Sequence, residues 1–339
     1  MRKPDYKVAV VGATGVVGEE LLRALADRAF PASRIAGYAT EASLGRELHC
    51  GAIEVNLLPL EDSVEFSDTD LVFFAAGEEV SRKWAEKATR AGAVVIDTST
   101  AWLERRDVPV VVPEVNARDL DELPPSRIVA SPDPVAVALA VFLHPLRQRC
   151  AVRSVSATAL DPVSVKGKRG VQVLEQEVHD LLNGREPEDN DLFPERVAFN
   201  AFPQVGELRS DGWSEAEFSS LRSLERVLGP DVPHVALTRV QVPLFYGTCL
   251  TVHCELEASE GLDDLAHHLR VSPGLLLEDE PLLCPSAADV VGSDATHVGR
   301  VRIVRQPPSL DAWVVLDNTR KGSAVNAVQI AELLLRQHL

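Results

Sequence analysis

Three glycines spaced three apart, Gly12, Gly15 and Gly18 in "VAVVGATGVVGEELL", constrain this chain more than any other feature. An apolar run leads into them and an amphipathic run leads out, so they read as a strand, a tight turn and a helix. Gly12 permits the turn, Gly15 lets backbone N–H groups approach a pyrophosphate, and Gly18 lets the helix pack close on the strand. Thr14 adds a hydroxyl at the helix start. Gly12, Thr14, Gly15, Val16, Val17 and Gly18 are therefore the expected dinucleotide loop. The next strand ends in "GYATEASLGR". Thr40, Ser43 and Arg46 there suit a ribose 2′-phosphate, and Glu41 opposes it; the balance favours NADP, with NAD as the alternative.

The pattern continues as short apolar strands alternating with amphipathic helices, the mark of a doubly wound parallel sheet. In the first helix Val17, Leu21 and Leu25 share a face, with Glu19, Glu20 and Arg23 placed outside it. Strands are expected in "RIAGYAT", "DLVFFAAG", "AVVIDTS" and "RIVA", a helix in "EVSRKWAEKATRAG", and an extended segment in "VPVVVPEVN" (Val108–Asn116). After about residue 150 the texture becomes α+β, with strands in "VRSVSATAL", "HVALTRVQVPLFY" and "TCLTVHCELE". Helices are expected in "VQVLEQEVHDLLN", "SEAEFSSLRSLERVLG" and the last segment, "NAVQIAELLLRQHL", and an exposed loop at 183–196.

The formal net charge of −17 makes a polyanion partner such as nucleic acid improbable on physical grounds. No stretch has the roughly 20 apolar residues of a membrane helix. Five cysteines, an odd and scattered set without metal-type spacing, suit free thiols in a cytoplasmic protein and no metal. "VSVKGKRGVQ" puts Lys166, Lys168 and Arg169 just before a helix, where they form either a small-anion site or a solvated basic loop.

"SPDPVAVALA" (Ser131–Ala140) joins a strand to a buried helix, a place where helix-terminal amides stabilise negative charge. Asp133 is a favoured N-cap and Pro134 a favoured first helical residue.

Taken in order, "VVGATGVVGEELL", "FPASRIAGYATEASLG", "VVIDTSTAW", "VPVVVPEVN" and "DNTRKGSAVNAVQIAE" resemble the aspartate-semialdehyde dehydrogenase family over nearly the whole length. The resemblance implies a Rossmann-type domain (1–133 and 318–339) completed by the C-terminal helix. It also implies a central α+β dimerisation and catalytic domain (134–317), a homodimer, and Asn326 and Gln329 near the nicotinamide. The family reaction is NADP-dependent and runs through a cysteine thioester. A thiolate attacks the acyl carbon, a histidine moves the proton, and cations hold the anionic substrate.

The positions that carry this chemistry differ here. The family segment resembling "NPNCST" is "SPDPVA", so the cysteine position is Pro134. "LDPVSVKG" places Asp161 at the thiol-orienting glutamine. "QVPLFYGTC" places Gln241 and Thr248 at the substrate arginine and the histidine. Leu103 and Ser219 stand where a further arginine and a lysine are expected. The pattern is most similar to the Usg-type branch of the family, and no catalytic residue is expected. The alternative is an active NADP-dependent aspartate-semialdehyde dehydrogenase with an unrecognised nucleophile, Cys249 being the suspect. Asp161 is the one nominee for a proton donor in a hydride transfer without a thiol. On a strand His253 and Cys254 face opposite ways, and Cys249 lies about 13 Å from His253, so neither pair forms a dyad.

Overall fold

The valines ahead of the glycine turn, Val8, Val10 and Val11, lie on a buried strand of a parallel sheet. The computed structural model describes residues 5–258, 264–278 and 284–339. Its chain gathers into two compact units, 1–133 with 322–339, and 134–321.

In the first unit, β1 (Tyr6–Val11) leads into helix α1 (Val16–Asp27), followed by β2 (Ala32–Ala39), a small hairpin of β3 (His49–Cys50) and β4 (Ile53–Glu54), and β5 (Asn56–Pro59). Next come β6 (Leu71–Phe74), α2 (Glu78–Arg90), β7 (Val94–Asp97), the one-turn α3 (Pro113–Asn116) and β8 (Ile128–Ala130). The sheet order is β5-β2-β1-β6-β7-β8, with every neighbouring pair parallel. This is the doubly wound order in which the chain reverses direction beside β1, and ligands bind at the carboxyl ends of the strands there.

The C-terminal helix, Val325–Gln337, belongs to this unit. Its Val328, Ala331 and Leu334 share one apolar core with Leu21 and Leu25 of α1 and with Val8, Val10, Phe73 and Ile96 of the sheet. Arg28, at the end of α1, donates two hydrogen bonds of 2.8 Å to Glu332 and fixes the helix against α1.

Two local expectations change. Glu20 lies buried rather than outside the helix, its carboxylate reaching Arg23 at 3.0 Å. Val108–Asn116 is not extended throughout: Val110 bridges Ala130, but Pro113 starts a helical turn. Asn116 closes that turn, accepting from the Val112 N–H at 2.9 Å and donating to the Val110 carbonyl at 2.8 Å.

In the second unit, α4 (Pro134–Arg147) is buried on nearly every side, from Val135 through Leu143 without interruption. Beside it run β9 (Val152–Asp161), α5 (Gly167–Leu182), α6 (Glu215–Leu228), β10 (His234–Gln241) and β11 (Thr248–Leu256). A short α7 (Leu265–Arg270), β12 (Leu275–Leu277), β13 (Thr296–Arg305) and β14 (Pro308–Leu316) complete it. The mixed sheet has the order β10-β9-β11-β14-β13-β12. The three strands after Leu256 go beyond the sequence reading.

Helix α4 packs on β9, β13 and β14, which explains why Val155, Ala157 and Ala159 alternate as a buried row. The opposite face of the sheet carries Ser156, Thr158, Thr238, Thr251 and His253 around a shallow cavity of about 610 Å³, with Trp213 and Trp313 in its walls. The 183–196 segment is exposed over its acidic stretch, but Phe193 is buried against Leu174 of α5. The Glu177 carboxylate accepts from the N–H groups of Val197 and Ala198 at 2.9 and 2.8 Å and ties the segment's end to α5.

Two of the three loop glycines are glycines for reasons internal to the fold. Gly12 has φ +86°, and a Cβ at Gly18 would stand 2.1 Å from the Gly12 carbonyl oxygen. Gly18→Ala should therefore lower the unfolding free energy by about 1–3 kcal/mol, read as a lower denaturant midpoint. An unchanged midpoint would mean that α1 is not held against the turn.

Candidate functional site

The glycine turn sits at the carboxyl end of β1. The Gly12 and Ala13 amides donate to the Tyr38 carbonyl at 2.8 and 3.2 Å, which draws the end of β2 alongside the loop. Gly15 is the N-cap residue of α1, in extended backbone, and the first helical bond runs from the Glu19 N–H to the Gly15 carbonyl at 3.0 Å. Helix geometry leaves the N–H groups of Val16, Val17 and Gly18 without an intrahelical acceptor. Those amides, with the Thr14 hydroxyl, form a cradle of the kind that holds a pyrophosphate. The close approach of Gly18 to Gly12 and the bare backbone at Gly15 are what such a group requires, so the residues fit a dinucleotide.

Beyond β2, Glu41–Ser43 forms one 3-10 turn, with the Thr40 and Ser43 hydroxyls 3.4 Å apart on the surface. Arg46 folds back over the loop, one guanidinium nitrogen 3.3 Å from the Thr14 carbonyl and another 2.7 Å from the Glu19 carboxylate. Asn326 in the C-terminal helix is fully buried. Its amide donates to the Val111 carbonyl at 3.0 Å and to the Ser131 hydroxyl at 2.8 Å, while its side-chain oxygen meets no donor among the described residues. Gln329 donates to Glu114 at 2.8 Å. Ser131 follows β8, and its N–H donates to the Asp97 carbonyl at 2.7 Å. Asn326 thus joins the carboxyl edge of the sheet that also carries the glycine turn. Asp97 is itself buried there, and desolvation raises its carboxyl above the ordinary range against hydrogen bonds from Ser99 and Trp102.

In the second unit, Asp161, Gln241 and Thr248 meet at one end of the mixed sheet, all on its buried side. Asp161 ends β9 and Gln241 is paired with it in the β9–β10 register. Thr248 opens β11, one step beyond the pairing of Cys249 with Leu160. Both Asp161 oxygens accept from Arg239, at 2.7 and 2.8 Å, and both residues are almost wholly buried. Arg239 also donates to the Ser220 hydroxyl at 2.9 Å, and its backbone N–H donates to Glu217 at 2.9 Å. Glu217 in turn closes the capping box of α6 with Ser214. The Gln241 amide donates to the Asp161 carbonyl at 2.8 Å, and the Gln241 backbone exchanges both hydrogen bonds with Phe202. The Thr248 hydroxyl is buried without a hydrogen-bond partner among the described residues. Asp161 is a counter-ion here and not the free proton donor the sequence nominated. Arg239, which organises the cluster, is the residue the sequence reading passed over; its signal was a cation two positions before Gln241, on the same face of an alternating strand.

The remaining sites divide. Pro134 is the first residue of α4, as its N1 preference requires. Leu103 is buried in the first unit, and the Ser219 hydroxyl donates back to the Glu215 carbonyl at 2.7 Å. Helix α5 starts at Gly167, four residues earlier than the pattern suggests, so Lys168 and Arg169 lie inside its first turn rather than before it. Arg169 pairs with Asp191 at 2.8 Å, while Lys166 and Lys168 are half-buried. Ser164, just before them, accepts from the Asn318 amide at 3.0 Å, and Asn318 accepts from the Gly247 N–H at 2.9 Å. That chain of bonds brings 164–168 to the end of the sheet where Thr248 begins.

None of the four buried thiols is prepared for attack. Burial pushes Cys249 up to about 11, Cys254 up to about 12 and Cys50 up to about 11, and raises Cys150 as well. At neutral pH a thiol titrating near 11 is thiolate in about one molecule in ten thousand. His253 faces the open side of the sheet, 2.8 Å from Asp311, while Cys254 points into the core, as strand alternation requires.

Comparison with known proteins gives the scaffold its family. The family model described as semialdehyde dehydrogenase, NAD binding domain, matches residues 7–123, and semialdehyde dehydrogenase, dimerisation domain, matches 143–321. The chain is 35% identical over 337 residues to an aspartate-semialdehyde dehydrogenase of Aquifex aeolicus, covering 98% of this chain and 99% of that one. It is 38% identical over 338 residues to a USG-1 protein homolog of Azotobacter vinelandii, with the same coverage. The crystal structure of aspartate semialdehyde dehydrogenase II from Vibrio cholerae superposes with a TM-score of 0.94 at 34% identity, covering 99% of this chain and all of that one.

Two measurements check the chemistry of this region. Asp161→Ala should cost about 3–5 kcal/mol by leaving the Arg239 guanidinium buried and unpaired, whereas the double change with Arg239→Met should recover much of that loss. At pH 8 the native protein should react with a thiol reagent at Cys284 alone, the exposed cysteine, and at all five after denaturation. Rapid modification of Cys249 in the native state would show that its site is open after all. On sequence, fold and superposition together, this chain belongs to the aspartate-semialdehyde dehydrogenase family.

Proposed function

We propose that the protein is a dinucleotide-binding homodimer of this family, preferring NADP, that does not perform the thioester-dependent dehydrogenase reaction. The observation that carries the reading is the first residue of α4. A nucleophile placed there would need a sulfur, and Pro134 supplies neither a nucleophile nor a backbone N–H. The proton-transfer position holds Thr248, and the anion-clamp position holds Gln241, committed to Asp161 and Phe202. Groups of a catalytic unit act together, so the loss of the nucleophile alone forfeits almost the whole rate.

What is retained supports binding. Gly12, Thr14, Gly15, Val16, Val17 and Gly18 would hold the pyrophosphate, with Thr40 and Ser43 toward the adenosine ribose. Asn326 and Gln329 would frame the nicotinamide end. The cofactor, when bound, can accept or deliver a hydride; the chain's own part is to bind and orient it. The 143–321 match to a dimerisation domain and the uncovered face of the mixed sheet support a homodimer. The free cysteines suit a reducing cytoplasmic setting. Lys166 and Lys168, in and before the first turn of α5, suit a small anionic ligand.

The test is a titration with NADPH and NADH followed by thermal unfolding. A ligand at a hundred times its Kd adds about 2.7 kcal/mol to native stability, so the melting temperature should rise by several degrees. Phosphate-dependent NADP reduction with aspartate semialdehyde should stay at background, and Pro134→Cys should not restore it. Turnover by the unmodified protein, or an acyl adduct on any of its thiols, would return the enzyme reading.

A further inference from the structure

We infer that Arg46 and Glu19 together set the choice between NADP and NAD, Arg46 as the group that recognises the 2′-phosphate and Glu19 as a built-in counterweight that moderates it. The inference rests on the dinucleotide-binding reading and gives it a specificity mechanism. At the end of β2 the backbone is drawn to the glycine loop by the Tyr38 carbonyl, which accepts from both Gly12 and Ala13. The chain then makes the Glu41–Ser43 turn and passes Gly45 at φ +87°, a conformation open to glycine, which sends Arg46 back over the loop. The guanidinium comes to rest across the mouth of the cradle, on the Thr14 carbonyl at 3.3 Å and the Glu19 carboxylate at 2.7 Å.

That position is specific. A dinucleotide whose pyrophosphate lies on the amides of Val16 and Val17 directs its adenosine ribose toward the end of β2. The Thr40 and Ser43 hydroxyls stand there, 3.4 Å apart, neutral and equally able to bond a ribose hydroxyl or a phosphate. Two nearby groups respond to a second negative charge: the exposed Glu41 carboxylate, which opposes it, and Arg46, the cation that can bind it. Its bonds to Thr14 and Glu19 use two of five N–H donors, so a phosphate can be met on the remaining edge without dismantling the bond to Glu19. Glu19 does two things at once. It holds Arg46 in place, with 21% of its side chain exposed against 46% for the arginine, and it places a carboxylate beside the position a phosphate dianion would take. Like charges at such range repel, so Glu19 reduces the advantage of the 2′-phosphate while leaving a bare ribose hydroxyl unaffected.

The experiment measures NADPH and NADH affinities by fluorescence titration for the unmodified protein, Arg46→Gln and Glu19→Gln. Arg46→Gln should weaken NADPH about ten- to a hundred-fold, the worth of a charge-assisted bond, and leave NADH within about two-fold. Glu19→Gln keeps an oxygen for Arg46 and removes the charge, so NADPH should tighten about three- to ten-fold with NADH unchanged. Circular dichroism melting of each variant separates lost folding from lost recognition. If Arg46→Gln changes both nucleotides alike, or neither, Arg46 is not the discriminator and the inference is overturned while the dinucleotide reading stands. If the unmodified protein binds neither nucleotide, both fall together. An unchanged or weakened NADPH affinity in Glu19→Gln overturns the part assigned to Glu19.

Discussion

Asp161 and Arg239 face one another across two parallel strands with almost no water to share. Each charge is tolerable only because the other is there, since an isolated buried ion costs several kcal/mol. Their mutual bond reaches further than the two strands. Arg239 also donates to α6, through Ser220 and the Ala216 carbonyl, and its own N–H to Glu217. Because Glu217 is also the closing member of the α6 capping box, the start of that helix, the end of β9 and the end of β10 are fixed by one connected set of bonds. Gln241 extends the set to the Phe202 segment. A connected set of buried polar bonds of this kind makes its surroundings rigid.

The first unit is organised on the opposite principle. Its candidate dinucleotide-binding end is a turn of backbone amides, and its stability comes from apolar layers away from that end. The C-terminal helix is essential to those layers, because Val328, Ala331 and Leu334 fill the core beside Leu21 and Leu25. The same helix carries Asn326 to the carboxyl edge, where its amide joins Val111 to Ser131. A single helix therefore closes the core and steadies the carboxyl edge of the sheet. The chemistry of that unit can persist whatever happens to the side chains of the other, since it depends on glycine geometry and not on titrating groups.

How far the sequence disclosed this follows from the range of each interaction. The glycine turn was legible because its demands are local: a positive φ at Gly12 and a missing Cβ at Gly18 leave a mark within seven residues. The parallel order was legible from alternation of short apolar strands and amphipathic helices. The last strands were not read, and β13 shows why: its register shifts between Gly299 and Arg302, with Arg300 at φ +51°, so the period-two pattern breaks midway. "VPVVVPEVN" misled in the other direction, three valines suggesting extension while Pro113 and Asn116 build a turn. The family resemblance located Asp161 and Gln241, and the register brings them together. The partner of Asp161 lies 78 residues away on a neighbouring strand, and nothing in the local pattern of either residue announces the pair.

The energetics of that pair also bear on how a chain could have arrived at this arrangement. At the family's glutamine position a neutral amide needs no counter-ion; an aspartate there does. Installing Asp161 before Arg239, or Arg239 before Asp161, would bury an unmatched charge at a cost of about 3–5 kcal/mol, a large part of a domain's whole stability. Pro134 carries no such penalty, because proline at N1 suits the helix it begins. On the proposed reading, loss of the nucleophile is a step that costs the fold little. Once turnover no longer constrains the neighbouring positions, rearrangement into a closed ion pair becomes permissible, and each of its members then protects the other from reversion. On the proposed reading the cluster records the consequence of a lost thiol, and the dinucleotide loop, whose geometry never depended on that thiol, remains as it was.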